Sequence, residues 1–426
     1  MDYKQKYLKY KQKYLRLLKD QKGGEPFLID LQAKQAYLWL FAKNQRRLAY
    51  IFTQRLISLK PLGNIRLNDK HRLSLMAKSG LSLRLASLLV EDHDRNLMYQ
   101  LAKRIISRLH DKLLKLTPTP TCVSTIRHNH SVNSVAFHPT LSLLATGSDD
   151  KTVKLWDCTD PQHTHQVANL TDHTDWVKSV AFHPTLPLLA TGSDDRTVKL
   201  WNCADPQNIH EVANLTDHTH WVMTVAFHPT LHLLASGSYD STIKLWDCTD
   251  PQNIHVANLT DHTHLVSSVA FHPILHLLAS GSYDKTVKLW DCTDPQHTHQ
   301  VANLTDHTDW VRSVAFHPTL PLLATGSDDG TVKLWNCADP QHTHQVANLT
   351  DHTDHVNSVA FHSTLPILAT GSRDNTVKLW DCTDPQNPIQ IANLTEHTRE
   401  VTSIAFHPTL PLLASGSCDA TIKIWR

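Results

Sequence analysis

The sequence predicts an all-β seven-bladed β-propeller with a separate small α-helical N-terminal domain. Three observations carry that prediction: a segment of about 45 residues copied seven times, short β-branched runs within each copy, and a reversal of charge near residue 121. A chain of 426 residues is long enough for two or three domains.

The ruler of the repeat is tryptophan, at Trp156, Trp201, Trp246, Trp290, Trp335, Trp380 and Trp425, with spacings of 45, 45, 44, 45, 45 and 45. Such a period fits propeller blades, whose four-stranded sheets cannot bury their faces alone and stack radially on their neighbours. Each copy reads as four strands: S-V-A-F, then L-L-A-[TS]-G-S, then T-[VI]-K-[LI]-W, then V-A-N-L. Turn signals H-P, G-S-x-D and D-P-Q punctuate them, as tight antiparallel connections require. The seventh copy stops at Arg426, after its third strand, and residues 122–127 align with the outer-strand segment 167–172. They are expected to supply the missing outer strand and so to remove an exposed sheet edge.

The segment G-S-x-D-x-T-[VI]-K-[LI]-W-[DN] resembles the signature of the WD-repeat family, present in all seven copies except that the last ends W-R. The resemblance covers residues 122–426 and implies a propeller in which the N-terminal strand completes the last blade. It also assigns a recurrent His, Ser/Thr, Asp and Trp set to a buried structural tetrad. In the second copy the set is His173, Thr191, Asp195 and Trp201; in the fourth it is His262, Ser280, Asp284 and Trp290. The same residue types could form a nucleophile, base and orienting carboxylate. Sevenfold occurrence argues for the fold instead, since a catalytic site is needed once. The family's usual Gly-His is replaced here by Asp-His or Glu-His, and by Arg127-His128 in the first copy.

No G-x-x-x-x-G-K-[ST], H-E-x-x-H or C-x-x-C occurs, so no enzyme, cofactor or metal site is expected. His-x-His pairs such as His163/His165 fall in separate blades and read as polar turns. Six repeated Asn-Leu-Thr triplets match the glycosylation pattern but follow from duplication of one outer strand. Six of the eight cysteines recur at one place in the repeat, which forms a ring of thiols rather than facing disulfide pairs.

The copies differ from one another mainly at three places. Four residues before the first-strand Phe stand Asn133, Lys178, Met223, Ser267, Arg312, Asn357 and Thr402; two earlier stand Ser131, Trp176, Trp221, Leu265, Trp310, His355 and Glu400. Just before the tetrad Asp stand Asp149, Asp194, Tyr239, Tyr283, Asp328, Arg373 and Cys418. The resemblance places all three on one end of the ring, the face most used for partners, whereas the opposite turns are nearly constant. Trp, Tyr and Arg are enriched at interface hot spots. Trp176, Lys178, Trp221, Met223, Tyr239, Tyr283, Trp310, Arg312, His355 and Arg373 are therefore the expected partner-binding face.

Residues 1–121 hold 25 Lys/Arg against 9 Asp/Glu, a net +16, whereas residues 122–426 hold 16 against 31, a net −15. Tyr3, Tyr7, Tyr10, Tyr14 and Leu17 at 4-3-4-3 spacing predict an amphipathic basic helix over 1–22, ended by Gly23-Gly24. This leader resembles the Tyr/Lys-rich N-termini of many giant DNA virus proteins. A basic helical domain is expected over 25–116, then a stiff Thr/Pro linker over 117–121. The excess positive charge offers a nucleic-acid contact through phosphates.

With no apolar run of membrane-spanning length and no secretory leader, an intracellular, cytoplasmic protein is expected, in a host cell if viral. The functional reading is a non-enzymatic protein-interaction scaffold with the basic domain as second contact. A nucleic-acid-associated protein and a ubiquitin-ligase substrate receptor are the alternatives, though no F-box is identified. The sequence leaves the oligomeric state open. Exposed histidines titrating near ~6.5 would strip the propeller of negative charge as pH falls toward 5–6.

Overall fold

The computed structural model describes residues 120–248 and 256–426. The helix expected over 1–22, the helical domain over 25–116 and most of the linker lie outside these residues. Every described strand belongs to one of seven four-stranded antiparallel sheets. The first sheet shows the plan: innermost Val132–Phe137, then Leu143–Ser148, then Val153–Asp157, and outermost His165–Leu170. All six residues of the second strand are buried, which explains its unbroken small and apolar L-L-A-T-G-S sequence. The outermost strand is buried mainly at Leu170 and exposes its other positions to varying degrees.

The last sheet is assembled from both ends of the repeat region. Cys122–Arg127 pairs antiparallel with Thr421–Trp425, in the order outer strand, third, second, first. The zipper extends one residue further, through reciprocal backbone hydrogen bonds of 3.0 Å between Thr121 and Arg426.

Three features lock each blade to the next. Near the middle of the innermost strand, a hydroxyl accepts a backbone N–H of the following blade, as Ser134 does from Val180 (3.1 Å) and Ser403 from Val135 (3.1 Å). At one end, the His of the F-H-P or F-H-S turn packs on the Phe of the next blade with ring centroids 4.9–5.0 Å apart, seven times, closing with His407 on Phe137. Opposite that hydroxyl, second-strand glycines let the neighbouring blade approach. A Cβ on Gly281 would stand 2.7 Å from Val311 Cγ1, closer than atoms can pack.

The F-H-P histidines read in the sequence as turn residues, yet they build the turn. His138 Nδ1 accepts the backbone N–H of Thr140 (3.1 Å) and Leu141 (2.9 Å), and the other copies repeat the arrangement. Burial holds His183, His228 and His317 down at about 4. These three therefore add no charge as pH falls toward 5–6, which narrows the charge loss expected there, and burial lowers His128, His138, His272, His397 and His407 as well.

Candidate functional site

The tetrads are complete in all seven blades. In the second, Trp201 Nε1–H donates to Thr191 Oγ1 (2.9 Å), Thr191 Oγ1 lies 2.7 Å from His173 Nε2, and His173 Nδ1 lies 2.7 Å from Asp195. In the fourth, the Trp290–Ser280, Ser280–His262 and His262–Asp284 distances are 2.8, 2.7 and 2.7 Å. With Asp accepting from Nδ1–H, a neutral imidazole accepts the hydroxyl proton at Nε2 and every polar atom is satisfied. Burial by itself would raise the Asp419 carboxyl, but hydrogen bonds from Thr421 and His397 reverse it, to about 2. All seven hydroxyl-bearing residues are fully buried, so none can meet a substrate.

The variable positions meet on one face. In each blade the residue before the tetrad Asp donates its backbone N–H to the carbonyl just ahead of the innermost strand. Asp194 bonds to Trp176 (2.9 Å), Tyr239 to Trp221 (2.8 Å), Asp328 to Trp310 (2.8 Å) and Arg373 to His355 (2.9 Å). The same residue can also touch the following blade: Tyr283 stacks on Trp310, with centroids 4.2 Å and planes 11° apart. Positions some 27 residues apart in sequence thus form one seam between blades.

Trp176, Trp221, Tyr239 and Trp310 are 42%, 41%, 39% and 38% exposed, and Arg373 is exposed too. Lys178, Met223, Tyr283, Arg312 and His355 are partly buried, so they serve the face from beneath as much as from its surface. Over the third to fifth copies the rings run in a chain. Trp221 meets Tyr239 (5.3 Å), and His220 stacks on Tyr239 (4.4 Å). His264 then bridges Tyr239 (6.3 Å) to Tyr283 (5.8 Å), and Tyr283 stacks on Trp310. Arg312 caps the chain, its guanidinium 4.7 Å from the Tyr283 ring and 5.6 Å from that of Trp310. Burial pushes the Tyr283 phenol up to about 12 against the opposing pull of Arg312. His220 and His264 were not singled out in the sequence because they sit among repeated loop histidines.

The first and second copies differ in chemistry. Asn133 donates to Asp149 Oδ1 (2.6 Å), and Lys178 Nζ lies 3.4 Å from Asp149 and 3.7 Å from Asp194. Lys178 also sits 4.4 Å from the Trp176 ring centroid. Asp194 Oδ1 is buried without a hydrogen-bond partner. Burial raises the Asp194 carboxyl to about 6, Lys178 opposing that shift and Asp175 and Asp149 adding to it.

Among the described residues no three His, Cys, Asp or Glu side chains converge as a metal site, and His163, His297 and His342 instead pair with Asp160, Asp294 and Asp339 at 2.7–2.8 Å in exposed turns. No helix among the described residues is long and apolar enough to cross a membrane. Six buried cysteines are free thiols, burial pushing Cys158 and Cys292 up to about 12.

The family model described as "WD domain, G-beta repeat" matches residues 120–157, 164–202, 209–247, 253–291, 298–336, 343–381 and 388–426. Short stretches are similar to three curated fungal proteins. They are 67% identical over 30 residues to "Nuclear distribution protein PAC1" of Tuber melanosporum (7% of each chain). They are 51% identical over 45 residues to "Nuclear distribution protein nudF" of Aspergillus flavus (9% of this chain, 10% of that one). They are 36% identical over 96 residues to "Nuclear distribution protein PAC1-2" of Postia placenta (21% and 22%). The matched stretches therefore span between 7% and 22% of those relatives' length.

Proposed function

The chain belongs to the WD domain, G-beta repeat family, and from that premise we propose that it is a non-enzymatic scaffold whose seamed loop face binds a protein partner. One observation carries the reading: the aromatic chain from Trp221 through Tyr239, His264 and Tyr283 to Trp310, which crosses three blades and leaves three large rings more than a third exposed. Rings held by their neighbours lose little freedom on binding, so their burial translates efficiently into affinity. The fungal relatives are named for nuclear distribution. Their likeness covers only short stretches of this chain, so the face rather than the name supports the proposal.

The test is affinity capture with the full chain against the combined Trp176→Ala, Trp221→Ala and Trp310→Ala variant, with melting temperature followed in parallel. Loss of a major partner from a variant that still melts cooperatively supports the reading. Unchanged capture overturns it.

A second reading rests on the +16 of residues 1–121: contact with nucleic acid through phosphates. It requires affinity that falls steeply with salt, with a log–log slope of about −0.9 per neutralised duplex phosphate. A flat response removes it.

A further inference from the structure

The seams share one backbone frame, so a difference between two of them isolates a chemical cause. In the fifth copy, Asp328 is 3% exposed at its side chain and fully engaged. The forked guanidinium of Arg312 donates to it from Nε (2.6 Å) and Nη2 (2.8 Å), and His355 Nδ1 of the next blade stands 3.2 Å away. On its other side Arg312 meets Tyr283, which carries no charge.

Asp194 holds the same position in the second copy and is equally buried, 3% exposed at its side chain. Its strand partner is Lys178, which meets a second carboxylate, Asp149, where Arg312 meets a phenol. One ammonium is divided between two carboxylates, at 3.4 and 3.7 Å, neither a close ion pair. The residue at the His355 position is Trp221, and Asp194 Oδ1 has no partner. Asp149 also accepts from Asn133 (2.6 Å) and faces the exposed His130 ring at 3.6 Å, yet the two carboxylates share a single permanent cation in a place where an unpaired buried carboxylate is costly.

We propose that Asp149, Lys178 and Asp194 form a receptor for one basic side chain, a lysine or arginine carried on an extended segment of a protein partner. Asp149, 12% exposed at its side chain, takes the incoming cation. Lys178 then closes on Asp194, leaving two carboxylates with two cations. The exposed Trp176 ring beside Lys178 gives the guest a π face. The proposal rests on the reading of the loop face as the partner surface and names the chemistry that part of it selects.

The experiment uses the full chain and a fluorescent alanine-rich peptide with a single central Arg, compared with Lys, Gln and Glu versions. Arg and Lys peptides should bind about tenfold or more tighter than Gln, with Glu weakest. Asp149→Asn and Asp194→Asn should each remove most of that preference. Lys178→Met should strengthen it, because the resident competitor is gone. Asp160→Asn and Lys333→Met make the same charge changes in an opposite-end turn and on the third strand of another blade, and should leave binding as it was. Should Lys178→Met unfold the blade, a larger rise of its melting temperature with Arg peptide than for the parent chain reads out the same competition. Equal binding of Arg and Gln peptides, weaker binding by Lys178→Met, or equal effects of the control substitutions overturns the receptor. Loss of partner capture in the triple Trp variant without any Arg preference would retain the scaffold and discard the receptor.

Discussion

The two ends of the propeller are made from the same duplicated segment yet behave as opposites. At the turn end, seven His rings pack on seven Phe rings at nearly one distance, 4.9–5.0 Å, around the whole circle. At the loop end, no two seams carry the same side chains: a Lys between carboxylates, a Tyr on a Trp, a forked Arg on an Asp. A contact that must close a ring has to fit all seven times, whereas a contact that meets a partner need fit only once. Substitutions at the turn end should therefore cost stability, and those at the loop end should cost binding.

The largest effect expected is at the turn end. Phe227→Ala removes a ring only 9% exposed and strands its partner His183, and should destabilise by about 3 kcal/mol or more. Denaturant melts check the loss, and peptide and partner binding should persist wherever the variant is folded. Arg312→Ala tests the comparison from the other side, since Arg312 is a loop-end residue with a structural burden. It leaves the buried Asp328 with His355 alone and should cost about 2–3 kcal/mol. A loss under about 0.5 kcal/mol, the range of ordinary surface substitutions, would show that this seam is held by stacking rather than by charge.

Asp194→Asn should do the reverse and stabilise. The carboxyl sits near 6 in the folded chain against an ordinary 3.8, so the folded protein holds an extra proton between those values. Stability therefore falls as pH rises from about 4 to 6 and stays lowered above. The Asn variant escapes that fall. It should be roughly 1–2 kcal/mol more stable at pH 7.5 and gain nothing at pH 4, read as paired thermal melts. A gain in stability paired with a loss of Arg-peptide binding is the signature of a site held ready for a ligand. Lower stability at pH 7.5 would mean the carboxylate is already satisfied.

The smallest effect concerns the turn after each tetrad Asp, where seven residues adopt positive φ and only Gly330 (φ +77°) and Asn375 (φ +69°) are of types suited to it. Ser241 holds the same place at φ +68°. Ser241→Gly should stabilise and Gly330→Ala destabilise, each by about 1 kcal/mol, with binding unchanged.

Tryptophan spacing made the seven blades legible, and the strand order within each followed from alternating apolar runs and turn residues. Offsets of 10, 18 and 22 residues placed the tetrad members in one blade. The seams were harder. The variable positions could be named one by one, but contact between Tyr283 and Trp310 joins different copies, and repetition at a fixed period says nothing of which copy's side chain leans on which. The F-H-P histidines are legible as turn residues but not as the side chains that build the turn, because a ring nitrogen that accepts two turn amides leaves no mark in composition.

The strand Cys122–Arg127 finds its partner nearly a whole domain later; Thr125 and Lys423, paired in register, are 298 residues apart. At translation rates of about 5–20 residues per second, that strand waits roughly 15–60 s with its hydrogen-bonding edge open. Meanwhile the near-identical third strands of earlier blades emerge one after another, each a plausible but wrong mate. Each of those third strands is followed within its own copy by an outer strand, which covers it soon after it emerges. The last third strand takes Cys122–Arg127 instead, so the first described strand closes the circle last, and duplication that simplified the architecture leaves the timing of synthesis to choose the correct pairing.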